Sequence, residues 1–136
     1  MKEIFAAGLP AAHADGVTID SLGEGTCTLR LPVRGDMVRP GGTLSGPSMM
    51  GLADAAMWVC VMSAAGEIEL AVTTNFSINF LRKPPMADVV ADASILKLGR
   101  RLAVIETGIY AADDTKREHL LAHATGTYSI PPTPQT

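Results

Sequence analysis

Residues Arg39 to Trp58 read RPGGTLSGPSMMGLADAAMW, and a single carboxylate, Asp54, stands in the middle of that otherwise small and apolar run. An ionised side chain carried into a packed interior is costly unless something pairs with it or uses it. The chemistry open to such an acid is attack as a nucleophile or proton removal from water as a general base. A buried aspartate satisfied by hydrogen bonds is the plain alternative. Other reactive side chains are few. Cys27 and Cys60 have no metal-ligand spacing and no histidine nearby in sequence, which reads as two buried free thiols. His13, His119 and His123 lie on the terminal segment and the last strand, far in sequence from Asp54.

Length and pattern predict the elements that must position this acid. A chain of 136 residues fits one domain, 1–136, with an N-terminal segment 1–16 and a flexible tail 131–136, and 47% hydrophobic content supports a real core. A net charge of −3 offers no basic field to nucleic acid. No stretch combines a basic start, an apolar centre and a small-residue cleavage site, and the apolar run from Pro47 to Gly66 is interrupted by Asp54. The expectation is a cytoplasmic protein with no membrane partner.

Residues 2–14 predict a short helix broken at Pro10. VTIDSL and GTCTLRLPV then read as a hairpin turning at Gly23 to Gly25, with Cys27, Leu29, Leu31 and Val33 on one face. Residues 34–46 are rich in Gly and Pro and read as a loop. Ser45-Gly46-Pro47 looks like a helix start, and the helix is expected from about Pro47 to about Ala65. Its residues are apolar on nearly every face, so it must be buried all round. Beyond Gly66, extended segments at 70–82, 87–98, 102–112 and 119–130 are separated by hairpin-length links and predict a four-stranded antiparallel meander. Strict alternation in the first of them puts Val72, Phe76, Ile78 and Phe80 inward and Thr73, Asn75, Ser77 and Asn79 on the opposite face. The chain carries no internal repeat and no linker. The fold expected is α+β, an antiparallel sheet wrapped around one long central helix with a second copy able to cover what remains, which is the hotdog architecture.

Three stretches, SGPSMMGLADAAM, TTNFSINFLRKP and LKLGRRLAV, resemble the PaaI-like (phenylacetate-pathway) acyl-CoA thioesterases of the hotdog superfamily, over about Val17 to Ile130. In that family the helix usually opens with His-Gly-Gly and carries an Asp nine positions after the histidine; here Ser45-Gly46-Pro47 fills the opening and Asp54 stands at the matching distance. The resemblance implies hydrolysis of an acyl-CoA to free acid and CoA, by a carboxylate of one subunit and a backbone oxyanion donor of its neighbour. It implies no cofactor beyond the CoA of the substrate, and a homodimer or a homotetramer made of two dimers.

Residue chemistry is compatible with that division of labour. Gly46 would present its N–H at the positive end of the helix, where the first amides lack intrahelical acceptors, and a missing side chain would let the carbonyl approach. Capping the loop is its simpler role. Eight residues of helix separate Gly46 from Asp54, a rise of about 12 Å, whereas catalytic contacts need about 3 Å. If both act on one carbonyl, the site lies between two chains, with two equivalent sites by symmetry.

Thr73 falls where related thioesterases carry a Ser or Thr bonded to the carboxylate or its water, and Thr74 is the alternative one residue along, on the inward face if the alternation holds. Arg39 stands where relatives often have Asn, and the resemblance implies that it would lie with Ser45 and Pro47 around the bound substrate; Arg39 would meet a substrate carboxylate or a CoA phosphate, or simply sit on the loop. Arg82, Lys83, Lys97, Arg100 and Arg101 are the positive charge available for CoA phosphates, or else solvated hairpin tips. Met49, Met50, Met57 and Met62 suit an acyl pocket or plain core filling. A non-catalytic acyl-CoA or lipid-binding dimer is the competing reading. A hotdog hydratase or dehydratase would need a histidine beside the acid.

Overall fold

The structure is a computed structural model that describes residues 9–33, 38–39, 43–66 and 71–132. After Leu9 the chain makes one short helix, α1 (Pro10–Ala14), which begins at the proline expected to break it; residues 2–8 of the expected helix lie outside the described residues. A proline suits the first helical position because its missing N–H has no acceptor there anyway. Strands β1 (Thr18–Gly23) and β2 (Thr26–Leu31) then form the hairpin, with Gly25 at φ +76 in the two-residue turn where a glycine is needed. In the Gly/Pro-rich stretch that follows, β3 (Val38–Arg39) pairs with β4 (Thr43–Leu44) as a small ladder of its own.

Helix α2 (Gly46–Ala65) starts one residue before the expected Pro47, because Ser45 caps it. The Ser45 Oγ accepts the Ser48 N–H at 3.2 Å and donates to the Ser48 hydroxyl at 2.8 Å, and Gly66 at φ +78 ends the helix. By length and hydropathy α2 could cross a membrane, but here it is the core element, with Leu52, Ala53, Ala55, Ala56 and the run Met57–Met62 all buried. Burial is not complete on every side: Pro47, Met50 and Gly51 are exposed, an open stripe along the first half of the helix that also carries the half-buried Asp54.

The remaining strands, β5 (Val72–Phe80), β6 (Val89–Leu98), β7 (Leu102–Ala111) and β8 (Ala122–Ser129), join β1 and β2 in a six-stranded antiparallel sheet of order β1-β2-β6-β7-β8-β5. The sheet curls around α2, and the hotdog arrangement is present. The expected four-stranded meander holds for β6, β7 and β8 but not for β5. β5 lies at the sheet edge beside β8, and the link 81–88 is a crossover to β6 rather than a hairpin. Its start shows why: Leu81 N–H and Arg82 N–H both bond the Leu121 carbonyl, at 2.8 and 3.1 Å, which carries the chain along β8, and Pro84-Pro85 then offers no amide to pair a returning strand.

A second correction concerns β5 itself. Thr73 pairs with Tyr128 but Asn75 with Thr127, so Thr74 is an extra, bulged residue. Counting by twos across a bulge inverts the faces. Phe76 and Ile78 are half-buried against the core as expected, whereas Val72, expected inward, is 57% exposed, and Thr73, expected outward, turns toward α2. Phe80 is also open, at 48%, with its ring over the start of α2.

Small residues let the helix lie close to the sheet. Ala91, Ala93, Ala122, Ala124 and Gly126 lie among the larger side chains Ile105, Ile109 and Tyr128. On the far side of the sheet, the turn after β7 is pinned by Arg117, whose Nε meets Asp92 Oδ2 at 2.6 Å while its guanidinium sits 5.5 Å over the Tyr110 ring.

Candidate active site

Asp54 sits midway along α2, and two hydroxyls from the sheet end on its carboxylate. Thr73 donates to Oδ1 at 2.9 Å from β5, and Tyr128 donates to the same Oδ1 at 2.5 Å from β8. Their register explains the meeting, since Thr73 and Tyr128 are opposite one another across the β5–β8 ladder. The Tyr128 hydroxyl also lies 2.9 Å from the Asp54 backbone carbonyl. Burial, together with the neighbouring carboxylate, pushes the Tyr128 phenol far up, so it stays protonated and acts as a donor. Among the described residues nothing bonds Oδ2 of Asp54.

At the start of the helix the amides sort themselves. Pro47 has no N–H, the Ser48 N–H is taken by Ser45 Oγ, and the Met49 N–H by the Ser45 carbonyl at 3.3 Å. That leaves Gly46 with the one first-turn amide that has no acceptor among the described residues. A Cβ on Gly46 would come 3.4 Å from the Phe80 ring, so that ring walls one side of the approach. Between these two points a pocket of about 300 Å³ runs along the open stripe, lined by Leu9, Val17, Pro47, Gly51, Leu52 and Asp54. Met49, Met57 and Met62 are buried in the core and Met50 is exposed.

Other expected site residues fall elsewhere. The Thr74 hydroxyl donates to the Thr127 carbonyl at 3.1 Å, which removes it as an alternative to Thr73 beside the acid. The Ser45 hydroxyl is occupied as the helix cap. Arg39 lies on β3 opposite Thr43, and its side chain lies outside the described residues. The basic residues do not form one cluster within the chain. Arg82 and Lys83 follow β5 at the Phe80 end, while Lys97, Arg100 and Arg101 belong to the β6–β7 hairpin at the end where β5 begins, a strand of nine residues away or about 25 Å. Arg100 and Arg101 line a groove of about 600 Å³ with Ala65, Leu98, Ile130 and Pro132, and Arg101 Nε donates to the Ile130 carbonyl at 3.2 Å.

No histidine approaches the acid among the described residues. His123 pairs with Glu106 at 3.4 Å on the outer face of the sheet, His119 is exposed in the turn before β8, and His13 is exposed on α1. Nor do three His, Cys, Asp or Glu side chains gather as metal ligands among the described residues. Two residues of the site escaped the sequence reading, Tyr128 and Phe80 in its wall position. Tyr128 did carry a signal: it continues the alternation Ala122, Ala124, Gly126 on the inward face of β8, where a polar tip needs a partner.

Comparison with known proteins gives the family and the fold. Residues 41–118, more than half of the chain, match the sequence profile of the thioesterase superfamily. A protein of Thermoplasma acidophilum provisionally described as an esterase is 27% identical over 112 residues, covering 82% of this chain and 81% of the relative. Among solved structures, a provisionally described thioesterase of a Silicibacter species is 41% identical at a TM-score of 0.83, covering 96% of this chain and 89% of that one. The phenylacetic acid degradation protein PaaI of Thermus thermophilus is 25% identical at a TM-score of 0.78, covering 90% of this chain and 99% of its own.

Proposed function

The chain belongs to the thioesterase superfamily and is a thioesterase, and from that premise we propose that it hydrolyses an acyl-CoA between Asp54 of one copy and the Gly46 N–H of another. The observation that carries the assignment is the Asp54 carboxylate itself, held on the open stripe of α2 by two hydroxyls with one oxygen left over. In the water route that carboxylate takes a proton from water, the water oxygen bonds the thioester carbonyl carbon, and the Gly46 N–H meets the oxyanion. Collapse breaks the C–S bond, and the sulfur takes the proton, which leaves a carboxylic acid and the CoA thiol. In the nucleophilic route the carboxylate oxygen itself bonds the acyl carbon and expels CoA thiolate, and water then opens the mixed anhydride. Both routes need the same two groups, and their separation of about 12 Å along one helix supports a homodimeric site.

The surface has what a second copy would cover. β5 leaves one sheet edge unpaired, with Val72, Phe80 and Leu81 exposed along it, next to the open stripe of α2. In such a pair Arg82 and Lys83 accompany the chain that supplies Gly46, and Arg100 and Arg101 the chain that supplies Asp54, so CoA phosphates would find positive charge from both. The apolar pocket beside Asp54 would take the start of the acyl group.

The deciding measurement is thiol release by the purified protein from a panel of short, medium, long and aryl acyl-CoAs, beside Asp54→Asn and Asp54→Ala. A loss of about 10²–10⁴-fold in turnover is expected in both variants. Wild-type protein that binds acyl-CoA yet releases no more thiol than the variants would overturn this reading and leave the non-catalytic acyl-CoA-binding dimer in its place.

A further inference from the structure

We infer that Tyr128 is a positioning residue for the acid, and that Tyr128 and Thr73 together occupy Oδ1 of Asp54 so that Oδ2 alone is presented to the substrate. The inference rests on Asp54 being the acting carboxylate. A carboxylate has two oxygens, each able to accept two hydrogen bonds, and a side chain free to turn about its last bond offers either of them. Here that freedom is removed. Both donors converge on Oδ1, from two different strands, and nothing among the described residues holds Oδ2.

Tyr128 contributes more to this hold than Thr73. It is 2% exposed, its backbone is fixed between β5 and β7, and its ring is packed beneath α2, whereas Thr73 lies on the exposed edge strand beside a bulge. Its hydroxyl has one proton and two acceptors within reach, Oδ1 at 2.5 Å and the Asp54 carbonyl at 2.9 Å. The hydroxyl donates its hydrogen bond to Oδ1, the shorter contact, and the carbonyl contact is the weaker arm. Burial and the adjacent Asp54 keep the phenol protonated, so the donor is present at every pH at which the protein would work. Among the described residues, the titratable groups lining the pocket are Asp54 itself and Asp15, ahead of β1.

Two consequences distinguish positioning from packing. Two donors on Oδ1 fix the rotation of the carboxylate, so losing the Tyr128 donor should leave Asp54 freer to turn. Losing it should also impair the chemical step rather than substrate binding. Tyr128→Phe keeps the ring and removes only the hydroxyl. The expected result is a fall in kcat of about 10–100-fold with KM within about twofold. The carboxyl ¹³C resonance of Asp54 at neutral pH, assigned with Asp54→Asn, should move from its wild-type position when the donor is lost. That measurement needs no turnover, so it tests Tyr128 even if wild-type protein proves inactive and the thioesterase assignment fails. With 3-fluorotyrosine at position 128, a stronger donor of nearly the same size, that resonance should move in the opposite direction; this variant decides the matter if Tyr128→Phe does not fold. An Asp54 carboxyl resonance that moves in neither variant, or a Tyr128→Phe enzyme that differs from wild type only in KM, would overturn the inference.

Discussion

Thr107 on β7 is fully buried, and its hydroxyl has no hydrogen-bond partner among the described residues. Leaving a buried hydroxyl unpaired costs about 1–3 kcal/mol, and valine has the same shape without it. Thr107→Val is therefore expected to be neutral or to stabilise by up to about 1 kcal/mol in urea unfolding; a clear loss of stability would show that the hydroxyl has a partner. The contrast with Tyr128, a buried hydroxyl that does have its acceptor, separates a polar atom that serves the site from one that does not. Asp54 was legible in the sequence because a lone charge in an apolar run stands out at once. Tyr128 was legible only as an inward residue whose polar tip needs a partner, since nothing along an alternating strand says which group lies above it. Cys27 and Cys60 are buried free thiols as expected, each donating to a backbone carbonyl, Ala56 and Gly25, at 3.1 Å.

At the scale of elements, the closeness of α2 to β8 decides where the acid and the tyrosine meet. Gly126 is the tightest point, since a Cβ there would lie 2.5 Å from Met57 Sδ and 3.4 Å from the Asn75 carbonyl. Gly126→Ala should cost about 1–3 kcal/mol, read from the urea midpoint, because either Met57 or the strand must move. An unchanged midpoint would mean that the Met57 side chain swings aside freely. The bulge at Thr74 is the companion device: it rotates Thr73 onto the helix-facing side in a strand whose simple alternation would turn it away. Nothing in VTTNFSINF announces a bulge, because every residue there is acceptable on either face of an edge strand.

At the scale of the whole molecule, the proposed site is incomplete in one chain, and mixing two inactive variants tests this. Gly46→Val adds atoms toward the Phe80 ring and the approach of the carbonyl, so it should silence the site while the fold survives; Asp54→Asn should silence it from the other side. Exchanging subunits between the two inactive proteins makes heterodimers in which one site has both an intact Gly46 and an intact Asp54. Activity should return toward about a quarter of the wild-type value at equal mixing, since half of the dimers are mixed and each has one of two sites restored. Confirmed exchange with no recovery would place both groups in one chain or remove one of them from the reaction.

What is encoded within a few residues could be read along the chain: a helix apolar on nearly every face and ending near Ala65, a lone acid at its middle, a glycine at its start, and six extended segments with their approximate bounds. These follow from periodicity, caps and the cost of an isolated charge, which act along the chain. Only the tertiary structure decided that β5 pairs with β8 at the edge, that Thr73 faces the helix, that Tyr128 reaches Asp54, and that Arg82 and Arg101 stand at opposite ends. Strand order and register are set by hydrogen bonds between residues far apart in sequence, and one extra residue in a strand reverses every face beyond it. The residues that hold the acid were therefore present in the sequence as types, but their meeting was a property of the folded sheet.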